Sequence, residues 1–330
     1  YNVFKGNFYN QYELYEPILK QQAFKEDTVN YNTLLIGTSK TYRQVNPFQF
    51  DSITGTKSYN LAYAGFYPFR LYDALNHILS FKKSDSLKNI VIELASLDLI
   101  EDNYNSDAYV YSIDFNKYTN AVTTIAGGSF SDIFKAQSLF YYTRLLFYKY
   151  AGFGIIKYVN NYLGIDKPAA LNDPVLQNYK KFTAEHRGYI DLNMETDSLG
   201  GNDYVTRENF LKHADKIVAN MIKHYPKKVD KIKADAFMNY IVQVADKLKK
   251  QERNVYFIVP PRNAAMSYLL AQRNFLIKKG YTDFDLSDPK EYPDFYKVEN
   301  SYNITHLNTY GASLFTKAFA EMAKPYLNKQ

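Results

Sequence analysis

Three short apolar runs, each ended by Gly, Pro or polar residues, constrain the fold more than any other feature of this sequence. They lie at 32–37, 88–94 and 254–259. Each is too short for a buried helix and is typical of a buried strand. Helical patterns lie between and after these runs, at 68–82, 264–279 and 308–326. Alternating strands and helices predict an α/β fold, a flavodoxin-like three-layer α/β/α arrangement with a mainly parallel sheet.

Two further strands are expected at 57–62 and 281–286, and a polar amphipathic helix at 9–24. The alternation stops across about 104–230, which contains Gly127-Gly128, an aromatic stretch at 139–163 and Gly200-Gly201. We interpret this part as a helical, aromatic-rich insertion. The chain of 330 residues is then one α/β domain, 1–330, that carries the insertion at 104–230.

Composition excludes several classes of site. The chain has no cysteine, so disulfides, thiolate zinc sites and cysteine nucleophiles are absent. Its formal net charge of +6 is small for this length and does not indicate nucleic-acid binding, although it is compatible with an anionic surface. No His, Asp or Glu cluster has the spacing of a metal site, and no glycine-rich phosphate loop occurs. We therefore expect neither a metal nor another cofactor.

The sequence Gly37-Thr38-Ser39 directly follows the first strand. Ligands of an open α/β sheet bind beyond the carboxyl ends of its strands. Ser39 therefore occupies a position suited to a nucleophile. The alternative is that Ser39 only caps a helix, since serine is a favoured N-cap residue.

Five histidines are the candidates for a general base. His306 lies between the last strand and the final helix, where a parallel sheet would bring it to the same edge as Ser39. A turn or capping role is the alternative for His306 alone. Surface positions are expected for His77, His213 and His224, whereas His186, beside Arg187-Gly188, is a candidate to line a site.

Four segments together resemble the SGNH, or GDSL-like, hydrolase superfamily. They are 35–39 with Ser39, 59–65 with Gly65, 90–94, and His306-Leu307-Asn308 before Gly311-Ala312. Within that superfamily the chain is most similar to the cell-envelope acyl-transfer branch, which includes DltD-like D-alanyl transfer proteins and alginate O-acetyltransferases. The resemblance covers most of the α/β part but not the insertion.

The resemblance implies acyl-transfer chemistry at Ser39. His306 would take the proton that the serine hydroxyl must lose to become a nucleophile. The backbone N–H groups of Ser39 and Gly65 would stabilise the oxyanion. The superfamily often supplies a third donor from an Asn after the third strand. Here that place has the sequence Leu94-Ala95-Ser96-Leu97-Asp98, with no matching Asn and only Ser96 as a substitute.

Asn303 departs from the pattern of the superfamily, which has Asp three residues before its histidine. An amide oxygen can orient the imidazole but cannot stabilise its charged form as a carboxylate does. Three explanations follow from this difference. The enzyme works as a Ser–His dyad, the site is inactive, or a nearby carboxylate orients His306, such as Asp288, Asp294 or Glu299.

Two other features have both a structural and a functional interpretation. Arg262 follows Pro260-Pro261 at a strand end, where it would bind an anionic substrate or form a surface ion pair. The aromatic stretch at 139–163 either packs on the α/β core or docks on a membrane or a membrane-bound partner.

The functional hypothesis is therefore an extracytoplasmic acyltransferase or esterase that acts on O-acyl groups of a cell-envelope polymer or acylated carrier. By resemblance, its partner would be a membrane-bound O-acyltransferase, and a hydrophobic N-terminal anchor would precede Tyr1 and keep the protein near the membrane. The alternative is a non-catalytic scaffolding partner that has the fold but lacks the acid of the triad.

Overall fold

The computed structural model describes residues 15–64, 68–95, 115–127, 131–151, 174–199, 204–226, 236–263 and 265–327. Within them, five parallel strands form one sheet. The strands are β1 (Thr33–Ile36), β2 (Ser58–Asn60), β3 (Asn89–Glu93), β4 (Asn254–Val259) and β5 (Thr282–Asp285). Their spatial order is β2-β1-β3-β4-β5, which is the doubly wound order of flavodoxin-like folds.

Helices connect these strands. They are α1 (Tyr15–Glu26), α2 (Ser39–Gln44), α3 (Pro47–Thr54), α4 (Pro68–Leu79), α5 (Phe115–Gly127), α6 (Asp132–Tyr150), α7 (Pro174–Glu185), α8 (Leu192–Leu199), α9 (Tyr204–Leu211), α10 (Ala214–Lys223), α11 (Ala236–Lys249), α12 (Met266–Lys278) and α13 (Thr309–Leu327). Short 3₁₀ turns occupy Lys82–Ser86, Pro293–Tyr296 and Val298–Asn300.

The two faces of the sheet have separate hydrophobic cores, as side-chain alternation along a strand requires. Leu34 and Ile36 of β1 belong to the core that also contains Phe237 of α11. Leu35, between them, belongs to the core that contains Phe319 of α13. Strand β1 is therefore covered on both faces, which explains its apolar Leu34-Leu35-Ile36 sequence. The predicted three-layer α/β/α fold is confirmed.

All five expected strands are present, and β4 has the expected bounds of 254–259. The helix expected at 68–82 ends at Leu79 and gives way to the turn Lys82–Ser86. Of the helix expected at 9–24, residues up to 14 lie outside the described part. The helix that is described there runs from Tyr15 to Glu26.

The stretch 104–230 is helical across most of its described residues, from α5 to α10. In α6, Tyr141 and Leu145 are buried, whereas Ile133 and Phe140 are 72% and 70% exposed. This helix therefore packs on its neighbours and also presents an apolar face. Residues 152–163, the second half of the aromatic stretch, lie outside the described part. Among the described helices there is no candidate for a membrane-spanning segment.

Gly188 joins the stretch 104–230 to the edge of the sheet. The N–H of Asn60 in β2 donates to the carbonyl of Arg187, and Gly188 has a φ of +83°. A Cβ at Gly188 would overlap the Asn60 carbonyl, whereas one at Gly280, with a φ of +82°, would meet nothing within 4 Å. The two glycines thus share a backbone conformation but differ in their surroundings.

We expect Gly188→Ala to destabilise the protein more than Gly280→Ala. Both changes strain a left-handed residue, at about 1 kcal/mol each. Only Gly188→Ala also forces a side chain against backbone, which adds about 1–3 kcal/mol. The free energies of unfolding of the two variants in urea measure this difference. Equal values would show that the backbone contact at Asn60 relaxes without cost.

Candidate active site

The turn after β1 places Ser39 at the first position of α2, at the carboxyl edge of the sheet. Thr38 is the N-cap residue, and its hydroxyl accepts from the N–H of Lys40 at 3.3 Å. A side chain at Gly37 would overlap Glu93. Glycine therefore allows this turn to lie directly against β3.

His306 lies in the loop before α13 and faces Ser39. Its Nε2 is 2.9 Å from the hydroxyl oxygen of Ser39, across 267 residues of sequence. Its Nδ1 is 3.1 Å from Asn303 Oδ1 and 3.0 Å from Thr305 Oγ1. The structure therefore brings together Ser39, His306 and Asn303, the three residues that the sequence indicates as catalytic.

The contacts of Asn303 determine the tautomer of His306. The Asn303 side-chain oxygen accepts from the backbone N–H groups of Thr305 and His306 at 3.0 and 2.9 Å. Only the oxygen of the amide can accept these bonds, so the orientation of the amide is fixed. Nδ1 of His306 then donates to that oxygen, and Nε2 keeps a lone pair directed at the Ser39 hydroxyl. This is the tautomer that a general base requires.

No carboxylate among the described residues is hydrogen-bonded to His306. Asp288 accepts from a neighbouring backbone N–H, and Asp294 pairs with Lys297 at 2.6 Å. Glu299 is exposed on its 3₁₀ turn. The explanation in which one of these three carboxylates orients His306 is therefore wrong, and the Asn303 oxygen occupies that place.

The electrostatic environment keeps His306 neutral. Burial lowers the pKa of His306 well below 6.5. Three neighbouring positive charges lower this pKa further, those of Lys40, Arg43 and Arg262. Lys40 is itself buried, and its ammonium donates to the carbonyls of Arg262 and Thr305 at 2.9 Å each. Burial also lowers the pKa of Lys40 to about 8. The base is thus surrounded by cations where a triad would place an anion.

Arg262 supports the histidine loop from a buried position. It is 1% exposed, and its guanidinium donates to the carbonyls of Asn303 and His306 at 3.3 and 3.4 Å. Neither sequence interpretation of Arg262 describes this position. Both interpretations need a side chain that reaches solvent, but here the backbone is left-handed, with a φ of +60°, and the side chain binds the loop carbonyls.

The expected oxyanion donors are described only in part. Gly65 lies outside the described residues, as does Ser96. Among the described residues, nothing accepts a hydrogen bond from the N–H of Ser39, which belongs to the first turn of α2. That N–H is therefore available next to the hydroxyl.

A buried ionic cluster, which the sequence interpretation does not include, holds the chain after β2. The Lys20 ammonium donates to the carbonyl of Ala62 and lies 3.5 Å from the ring centroid of Tyr42. Glu16, one helical turn before Lys20, accepts from the N–H of Ala64 at 3.1 Å. Helix α1 thus fixes the segment that leads to the second expected oxyanion donor. The i, i+4 spacing of Glu16 and Lys20 is visible in the sequence, but the complete burial of Lys20 is not.

The other histidines lie apart from this arrangement. His77, His213 and His224 are exposed, as expected. His186 directly follows α7 and is half-buried, with its Nδ1 2.8 Å from the Phe182 carbonyl and its ring stacked on Phe182. His186 therefore contacts the carboxyl end of α7 and has a structural position there.

The described residues contain no group of three or more His, Asp or Glu side chains that could hold a metal ion. Comparisons with protein-family models, curated proteins and solved structures find no significant match to this chain. The arrangement around Ser39 therefore carries the functional argument.

Proposed function

We propose that the protein is a serine-dependent acyl-transfer enzyme, an esterase or O-acyltransferase, with Ser39 as nucleophile and His306 as general base. One observation carries this proposal: the 2.9 Å contact of Ser39 Oγ with His306 Nε2, in a histidine whose Nδ1 meets a fixed amide oxygen. A base must lie within about 2.6–3.2 Å of the atom from which it takes a proton. The geometry supports a Ser–His pair that Asn303 orients.

The proposed reaction has two steps. Ser39 Oγ attacks the acyl carbonyl while its proton passes to His306 Nε2, and the Ser39 N–H donates to the developing oxyanion. The ester bond breaks, the leaving alcohol takes the proton from Nε2, and the acyl group stays on Ser39. Water or an acceptor alcohol then gives its proton to Nε2 and attacks the acyl group, and Ser39 leaves with the proton that Nε2 returns.

Hydrolysis of p-nitrophenyl acetate tests this proposal. Wild-type protein is expected to release p-nitrophenol above the buffer rate, and Ser39→Ala to release it at the buffer rate. Ser52→Ala, which changes an exposed serine of α3, is the control and should match wild type. Equal activity of wild type and Ser39→Ala would show that the chemistry is elsewhere or absent.

The pH dependence follows from the environment of His306. The base acts only when neutral, and burial with the nearby cations lowers its pKa well below 6.5. Lowering the pH therefore protonates His306 only in the acidic range. We expect kcat/KM for p-nitrophenyl acetate to fall as the pH is lowered, with a midpoint below pH 6.5. This parameter reports the pKa values of groups in the free enzyme. A midpoint at or above that value would contradict this electrostatic description.

The resemblance to the SGNH superfamily supports a more specific proposal for the substrate. It favours O-acyl groups of a cell-envelope polymer or an acylated carrier, outside the cytoplasm and together with a membrane-bound O-acyltransferase. The exposed Ile133 and Phe140 of α6 favour membrane proximity. Release of acetate from an O-acetylated polysaccharide by wild type, but not by Ser39→Ala, tests the substrate class.

Asn303 favours a second candidate function, a non-catalytic partner that binds an acylated polymer in the same cleft. An amide stabilises imidazolium less than a carboxylate does, and the neighbouring cations oppose protonation of His306. Equally strong binding of an O-acetylated polysaccharide by wild type and Ser39→Ala, without acetate release, would support this candidate over the enzyme.

A further inference from the structure

Glu93 is a buried carboxylate that the proposed reaction does not use. It is the last residue of β3 and is 2% exposed. Ile92 pairs with Ile36 of β1, so Glu93 lies level with Gly37 at the start of the Ser39 turn. Burying a carboxylate is costly unless hydrogen bonds or charges compensate. The partners of Glu93 therefore indicate its role.

The hydrogen bonds of the Glu93 carboxylate go to residues that flank Ser39. Its Oε2 accepts from the N–H groups of Thr38 and Thr41 at 2.8 and 3.0 Å. Its Oε1 accepts from the Thr38 hydroxyl at 2.6 Å. One carboxylate thus binds both sides of the nucleophile, and Gly37 leaves the space in which it does so.

Three of the four backbone N–H groups at the start of α2 have an acceptor, and one has none among the described residues. Glu93 takes those of Thr38 and Thr41. The Thr38 hydroxyl takes that of Lys40. Within the part of the chain that the structure describes, the N–H of Ser39 alone among the four has no acceptor. The hydrogen bonds of Glu93 therefore leave free the one donor that lies beside the hydroxyl.

We propose that Glu93 is the positioning residue of the nucleophile. By holding Thr38 and Thr41, it sets the place of Ser39 Oγ against His306 and keeps the Ser39 N–H free for the oxyanion. This inference rests on the proposed function for its catalytic consequence, whereas its structural part stands on the hydrogen bonds alone. Glu93 acts through its neighbours and touches none of the reacting atoms.

Two substitutions distinguish the effect of the position of the Glu93 oxygens from the effect of their negative charge. In Glu93→Gln, the amide oxygen can keep both backbone N–H groups while its NH₂ donates to the Thr38 hydroxyl, so the charge is lost and the turn is kept. In Glu93→Asp, the charge is kept but the oxygens are withdrawn by one methylene. Neither change leaves a large cavity in the core.

The test measures the second-order rate of Ser39 modification by a fluorophosphonate, together with deuterium exchange of the backbone amides in 37–44. We expect Glu93→Gln to react within about fivefold of wild type, and Glu93→Asp to react about 10- to 100-fold more slowly, because small misplacements cost this much. Deuterium exchange in 37–44 should quicken in Glu93→Asp and stay unchanged in Glu93→Gln.

Asp51 provides the matched control. It also accepts from a backbone N–H and a threonine hydroxyl, those of Ser58 and Thr56, but at the amino edge of the sheet. Asp51→Asn and Asp51→Glu should leave both the labelling rate and the exchange of 37–44 unchanged.

Each result decides the proposal. Slow labelling in Glu93→Gln together with wild-type labelling in Glu93→Asp would show that charge, and not position, is required, and would overturn it. Unchanged exchange of 37–44 in Glu93→Asp would overturn it as well. If wild type itself does not react, the proposed function fails, and the exchange measurement alone then supports or refutes the positioning role.

Discussion

Replacing His306 with alanine is expected to lower kcat/KM for p-nitrophenyl acetate by about 10²- to 10⁴-fold. The Ser39 hydroxyl would keep its proton, because Nε2 of His306 is the one base within hydrogen-bond distance of it among the described residues. Loss of the general base costs a serine protease with a complete triad about 10⁶-fold in kcat. The loss here is smaller because Asn303 already stands in place of the triad acid. Comparison of purified wild type and variant at neutral pH measures the effect.

His186→Ala is the control for this loss. His186 is also half-buried and hydrogen-bonded, but its partner is the carbonyl of Phe182 at the end of α7. Its removal should leave kcat/KM within about twofold of wild type, since a residue away from the reacting atoms contributes no proton transfer. If the two histidine variants lose activity equally, His306 is not the base.

The change Asn303→Asp is expected to act in the opposite direction and to raise kcat/KM. Its side chain has the same length, and the carboxylate oxygens can accept the hydrogen bonds that Asn303 Oδ1 accepts from Thr305 and His306. The new charge would stabilise the imidazolium, which an amide cannot do. The reverse change in a serine protease costs about 10⁴-fold in kcat, which sets the upper limit of the gain.

A shift in pH dependence accompanies this gain. A carboxylate beside Nδ1 favours the charged form of His306 and raises its pKa, so the acid limb of kcat/KM should move to higher pH than in wild type. Adding Ser39→Ala to Asn303→Asp should abolish the gain. A gain that survives without Ser39, or an unshifted acid limb, would contradict the role assigned to Asn303.

The sheet and the Ser–His pair were predictable because they depend on local patterns. Buried parallel strands contain short apolar runs, so the centres of β1 and β3 stand out in the sequence. Parallel strands also end at one edge, which places Ser39 and His306 together before any distance is known. Their 2.9 Å contact agrees with that placement.

The environment of the pair was not predictable in the same way. Glu93 ends an apolar strand, and nothing in the local sequence shows that its carboxylate turns to Thr38 and Thr41. Arg262 is a single charge at a strand end, and its burial depends on a loop more than 40 residues away. Such contacts join segments that are distant in the sequence, and the hydrophobic periodicity of a single sequence does not predict them.

Modification by a fluorophosphonate, detected by intact mass and then by peptide mapping, tests the central claim most directly. A serine activated by a neighbouring base reacts with this reagent, whereas an ordinary serine does not. We predict one adduct per chain, located on Ser39, formed rapidly by wild type and Asn303→Asp and lost in His306→Ala. No adduct on folded wild-type protein, or an adduct on another residue, would contradict the assignment of Ser39 as the nucleophile.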